Sequence, residues 1–112
     1  MKNRIIERIN NIKNEVIRIK NTDRPRDTYE FLDNKFDELE NIQSDIIKLY
    51  HNCFNEATDE FSNSKIYEAI KQLIDISEDA GARSYHEEYY TDNAFIATCD
   101  RLIEYLNSCQ SM

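Results

Sequence analysis

The chain has 112 residues, 40% of them apolar and 32% charged, with a formal net charge of −8. That length holds one domain, residues 1–112, with a modest core, and the balance excludes both a disordered and a membrane-embedded chain. One glycine and one proline in the whole sequence are too few turn residues for a β protein or an α/β nucleotide binder, so the expected fold is all-α.

A first helix is expected over residues 3–20. Ile5, Ile9, Ile12, Val16 and Ile19 step by four, three, four and three, and Ile6 and Ile17 flank that seam. A seam with a flanking edge touches two neighbours, which suits a bundle better than a two-stranded coiled coil. Pro25 ends this helix by forcing Arg24 out of the α region. Asp27 is then expected to cap a second helix, with Glu30 three residues on completing a capping box. No glycine or proline occurs between there and Gly81, so this helix is expected to be long, reaching about Phe61. Its apolar positions are Tyr29, Leu32, Phe36, Leu39, Ile42, Ile46, Tyr50, Cys53, Phe54, Ala57 and Phe61. At 1.5 Å per residue it measures ~51 Å, about twice the first helix. It must therefore break within residues 52–59, or overhang and call for another surface to cover it.

Ser62-Asn63-Ser64 reads as a loop. A third helix is expected over residues 65–80, with Ile66, Ala69, Ile70, Leu73, Ile74, Ile76 and Ala80 facing the core and Gly81 in the left-handed position that ends it. Ser84 and Glu87 match a second capping box. Beyond them Phe95, Cys99, Leu102, Leu106 and Cys109 again step by four, three, four and three, with Ile96 and Ile103 alongside. Thr91 or Asp92 could begin a new helix, so this segment is one helix or two. Together the elements predict an antiparallel four-helix bundle with a long second helix.

The charge is unevenly spread. Residues 1–26 carry a net +5 and the rest a net −13. Either the first helix docks on acidic neighbours, or a basic edge and an acidic face serve different partners. The acidic remainder repels a polyanion, so direct nucleic-acid binding through Arg4, Arg8, Arg18, Lys20, Arg24 and Arg26 is not expected. No apolar run is long enough to cross a membrane, and the first residues lack the apolar core of a secretory signal. Three cysteines, Cys53, Cys99 and Cys109, form no close pair. They are expected to act as small apolar residues in a reducing cytoplasm.

No constellation points to catalysis, and no metal or cofactor is expected. The histidines, His51 and His86, belong to no zinc or di-iron spacing. All-α pyrophosphohydrolases hold Mg²⁺ with two E-x-x-E/D pairs on facing helices. Asp37/Glu40, Glu56/Asp59 and Asp75/Glu78 have that spacing, which leaves a small Mg²⁺-dependent enzyme as an alternative. A solvated acidic face accounts for the same pairs. His51 and Cys53 would lie about 200° apart on a helix, so they make no nucleophile–base pair.

The most distinctive stretch is residues 84–93, with Tyr85, Glu87, Glu88, Tyr89, Tyr90 and Asp92. Tyrosine buries a rigid ring while keeping a polar tip, which favours it at interface hot spots, and carboxylates steer a basic partner. Tyr85 and Tyr89 could equally close the end of the bundle. In composition the stretch resembles the immunity proteins of nuclease bacteriocins, which are small, acidic and helical with a tyrosine pair among carboxylates. Phage- or mobile-element-encoded inhibitors share this profile of a short, acidic, helical chain. The expected function is a non-enzymatic module that binds a basic protein, a toxin, nuclease or defence effector. A structural bundle that dimerises through the long second helix is a further alternative.

Overall fold

A computed structural model describes residues 2–21, 25–53, 64–82 and 88–108. Among them are five helices and no strand: α1 (Lys2–Lys20), α2 (Pro25–Asn34), α3 (Phe36–Cys53), α4 (Lys65–Ala82) and α5 (Glu88–Ser108). The all-α expectation holds. None of these helices is long and apolar enough to cross a membrane.

The seam of α1 is buried as its spacing predicts. Ile5, Ile9, Ile12, Val16 and Ile19 are each at most 7% exposed. Ile6 and Ile17 are half-buried beside them. On α5, Phe95, Cys99, Leu102 and Leu106 form the matching seam, and all are at most 1% exposed. Two polar links tie these helices. Lys13 Nζ donates to Asp100 Oδ1 at 2.9 Å, and Lys20 Nζ donates to Asn93 Oδ1. Seven residues forward on α1 thus correspond to seven backward on α5. Arg101 of α5 donates to Gln72 Oε1 of α4 at 3.2 Å. α2 and α3 both pack on α1 and on α4, and α5 packs on α1 and α4 from the other side.

The long second helix is not formed. The stretch is two helices, interrupted at Lys35, a position the sequence does not single out, and the break expected within residues 52–59 falls largely outside the described residues. α3 ends at Cys53, and residues 54–61 lie outside the described residues. The cause is a mismatch of pitch. From Tyr29 the inward positions are Leu32, Phe36, Leu39, Ile42, Ile46 and Leu49, with Phe36 half-buried and the others at most 8% exposed. Six steps over twenty residues average ~3.3 residues, short of the 3.6 of an α-helix, so on a straight helix the stripe drifts by roughly 160°. The chain makes up part of that drift at one point. The Lys35 N–H bonds to the Leu32 carbonyl at 3.1 Å, an i to i−3 bond, and the Leu39 N–H returns to the regular pattern with the Lys35 carbonyl at 2.9 Å. Such a tight turn advances the chain faster per residue than an α-helix and re-aims the helix beyond it. The drift also explains why Leu49, which lies off the expected stripe, faces the core.

Two helix ends differ from expectation, and one open alternative is decided. α2 begins at Pro25 instead of after Asp27. The fixed φ of proline suits the first helical position, where its missing N–H costs nothing. Asp27 falls within the first turn, where the positive end of the helix dipole favours a carboxylate. α4 runs through Gly81 to Ala82, so Gly81 is inside the helix rather than past its end. α5 passes Thr91 and Asp92 without interruption, so neither starts a new helix. The Ser84–Glu87 capping box lies outside the described residues. Ser64 behaves as a cap: its Oγ accepts the Tyr67 N–H at 3.1 Å and its carbonyl the Glu68 N–H at 3.2 Å.

Leu39 and Leu73 are 1% and 0% exposed in this core. Leu39→Ala or Leu73→Ala is expected to lower the unfolding free energy by about 2–5 kcal/mol, measured by urea denaturation. A loss under about 0.5 kcal/mol would contradict their placement.

Candidate functional site

The polar side chains fall into three groups. The first lies along α1. Arg8 Nη1 donates to Asp45 Oδ2 of α3 at 2.6 Å, and both side chains are about two-thirds buried or more. Lys13 pairs with Asp100 of α5 at 2.9 Å. Arg18 pairs with Glu15 one turn away on the exposed face. The Arg18 guanidinium, by hydrogen bond, holds the Glu15 carboxyl below its usual pKa and is itself raised by that bond. Docking of a basic helix on acidic neighbours is therefore formed at Arg8 and Lys13. An open groove of about 670 Å³ beside the first of these pairs has Arg4, Ile5, Arg8 and Asp45 among its lining. Arg26 stands in the first turn of α2, and Arg24 lies outside the described residues.

The second group is the acidic outer surface. Asp33, Asp37 and Glu40 on α2 and α3, and Asp75, Glu78 and Asp79 on α4, are exposed. Both described E-x-x-E/D-type pairs, Asp37/Glu40 and Asp75/Glu78, belong to it. Among the described residues no three His, Cys, Asp or Glu side chains stand close enough to hold a metal ion. Glu56/Asp59 lies outside the described residues. Asp45 and Glu38 are not part of a free acidic face: Asp45 is held by Arg8, and Glu38 by Lys35 at 3.4 Å.

The third group surrounds the helix break. Ser77 is 0% exposed, and its hydroxyl donates to the Leu32 carbonyl, the same oxygen that takes the Lys35 N–H. The Lys35 ammonium lies 5.3 Å from the Phe31 ring on one side of the break and reaches Glu38 on the other. Sequence reasoning passes over Ser77. Its signal is its register: with Ile66, Ile70, Leu73 and Ala80 it completes a four, three, four, three stripe in which it alone is polar. Thr98, also buried, is satisfied by the Ala94 carbonyl at 2.7 Å and accepts from Arg101 at 3.0 Å.

The tyrosine-rich stretch is only partly in view. Tyr85 and Glu87 lie outside the described residues. Glu88, Tyr89, Tyr90 and Asp92 stand on the first turns of α5, and their side chains lie outside what is described. His51 and Cys53 are likewise placed by backbone alone, at the end of α3. Cys109 lies outside the described residues. Cys99 is buried and free, and burial, with Asp100 adding to it, pushes its thiol up to about 12. Thiolate is the reactive form, so this cysteine is placed as an inert apolar residue.

No known protein family, curated protein or solved structure matches this chain.

In a double-mutant cycle of Arg8→Ala and Asp45→Ala, read by urea denaturation, the coupling should be about 0.5–1 kcal/mol, at the upper end for an ion pair near the surface. In a Cys53→Ser/Cys109→Ser variant, Cys99 should resist an aromatic disulfide reagent at about pH 8 while the chain is folded and react once it is unfolded in urea. The folded thiol is raised above its ordinary value of 9.0. Its contribution to stability is therefore fully present below pH 9.0 and is lost as pH rises from there toward about 12, because only the unfolded chain ionises in that window.

Proposed function

We propose that α2 and α3 together fill one corner of a four-cornered antiparallel bundle, and that this bundle is a non-enzymatic module that binds a basic protein. The partner class is a nuclease, toxin or other nucleic-acid-handling protein whose cationic surface the module masks. One observation carries the reading. Arg8 and Lys13 of the basic first helix are turned to Asp45 and Asp100 of the same chain, while Asp33, Asp37, Glu40, Asp75, Glu78 and Asp79 stay exposed. Each internal pair neutralises one cation and one carboxylate, so the acidic excess of the chain, a net charge of −8, stays with the carboxylates left exposed. Their field draws in a cationic partner and repels nucleic acid itself.

Within this reading Tyr85, Tyr89 and Tyr90 supply the anchors and Glu87, Glu88 and Asp92 the steering charges. The two roles separate kinetically. An anchor buried in the partner acts on dissociation, and a charge at the rim acts on association. The test is capture of the protein encoded beside this one, followed by binding kinetics. Tyr90→Ala should speed dissociation and cost about 2 kcal/mol or more. Glu87→Lys and Glu88→Lys should slow association, by a factor that shrinks as salt rises from about 0.05 to 0.5 M. If the partner binds all three variants as tightly as the parent, this stretch is not the interface. If no basic protein binds the parent chain, the reading itself falls.

A further inference from the structure

The short helix α2 combines features that no other described helix shares. It is ten residues long, below the length at which a helix in water holds itself together. Thr28 and Tyr29 are each 4% exposed, yet Thr28 Oγ1 and Tyr29 Oη have no hydrogen-bond partner among the described residues. An unsatisfied buried hydroxyl disfavours the docked state, because undocking returns it to water. Against that stand the apolar burial of Tyr29 and Leu32 and a buried polar tie from α4, the Ser77 hydroxyl on the Leu32 carbonyl. The break at Lys35 supplies the pivot. It interrupts the helix over a single residue, and both flanking helices keep hydrogen bonds to it: the Lys35 N–H to Leu32 and the Lys35 carbonyl from Leu39.

We propose that α2 is a flap that opens locally off α1 and α4 while the rest of the bundle stays folded, with Lys35 as the hinge on its α3 side, and that the Ser77–Leu32 hydrogen bond is its latch. α3 is the fixed side of the hinge. Arg8 ties it to α1 through Asp45, and its buried residues Leu39, Ile42, Ile46 and Leu49 bring no unpaired side-chain polar atom into the core. Opening uncovers Tyr29 and Leu32 together with the strip of α1 and α4 on which α2 packs. Local opening of this kind is distinct from global unfolding, since it exposes the surface of one segment only.

Hydrogen exchange of the full chain under native conditions, read by mass spectrometry, tests this. Backbone amides of residues 29–34 should exchange faster than those in the middle of α1, α4 and α5, with a weaker dependence on urea. Ser77→Ala should raise exchange in residues 29–34 about fivefold, as expected for one net hydrogen bond of about 1 kcal/mol at tenfold per 1.4 kcal/mol, and leave α5 unchanged. Tyr29→Phe and Thr28→Val delete the unpaired hydroxyls and should slow exchange in the same residues. If the parent's residues 29–34 exchange together with α5, at one common urea dependence, there is no flap. Equal acceleration of every helix by Ser77→Ala would make Ser77 a general core residue and overturn its role as latch. Should Ser77→Ala fail to fold, Tyr29→Phe decides alone: unchanged or faster exchange in residues 29–34 rejects the proposal.

Discussion

The Leu32 carbonyl is the point on which the arrangement turns. In an unbroken α-helix it would accept one bond from four residues on. Here it accepts from Lys35, three residues on, and from Ser77 across the core. The reason lies in spacing. Inward residues from Tyr29 to Leu49 recur more often than the α-helical pitch allows, so one straight rod cannot hold all of them against α1 and α4. The tight turn at Lys35 lets α2 and α3 each aim an apolar face at the same pair of helices. Ser77 in the core of α4 gives that carbonyl a second donor, beside the Lys35 N–H, and the same bond satisfies the buried Ser77 hydroxyl.

The electrostatics depend on the same packing. α1 is the basic element of an acidic chain, and it lies between α3 and α5, where Asp45 and Asp100 meet Arg8 and Lys13. Neither pair is fully buried, so each adds little to stability. Their larger effect is on register. Lys13–Asp100 and Lys20–Asn93 form in the observed register of α1 along α5 and would be lost in a shifted one, a distinction that isoleucines repeating at regular spacing do not make. The uneven charge of the sequence is thus partly neutralised inside the fold.

Much of the fold is legible in the apolar spacing. α1 and α5 carry strict four, three, four, three seams, and each described seam residue is buried. Regular spacing at a mean near 3.5 needs no correction, so local pattern and tertiary packing agree. The second helix is not legible in the same way, because its steps look helical one at a time and fail only when summed. Each step of three or four is helical, but a run with too many threes drifts, and drift accumulates into a break that no glycine or proline announces. Gly81 misleads for a related reason. A glycine permits a helix to end but does not force it to, and α4 carries it for one residue more. Of the candidate sites, the carboxylate pairs are legible as a solvated face from their density alone. The partners of Arg8 and Lys13 are not, because Asp45 and Asp100 lie 37 and 87 residues away in sequence, and only the fold brings them together.

The break also bears on how a module of this kind could work. A rigid bundle presents one surface, and its affinity is set by what that surface already displays. A bundle with one weakly held corner has a second, apolar surface beneath it, available at the energetic cost of opening. Thr28 and Tyr29 lower that cost, since their hydroxyls are worse off buried than wet. A purely structural core has no need of such atoms: phenylalanine in place of Tyr29 would fill nearly the same volume without the polar tip. They sit in the element that the break joins to α3 and that Ser77 ties to α4, beside Glu30 and Asp33. On the proposed function, charge would bring a cationic partner to this side of the bundle by long-range attraction. An apolar contact formed there on opening would then hold it by burial, and the two effects act at different distances and on different rate constants.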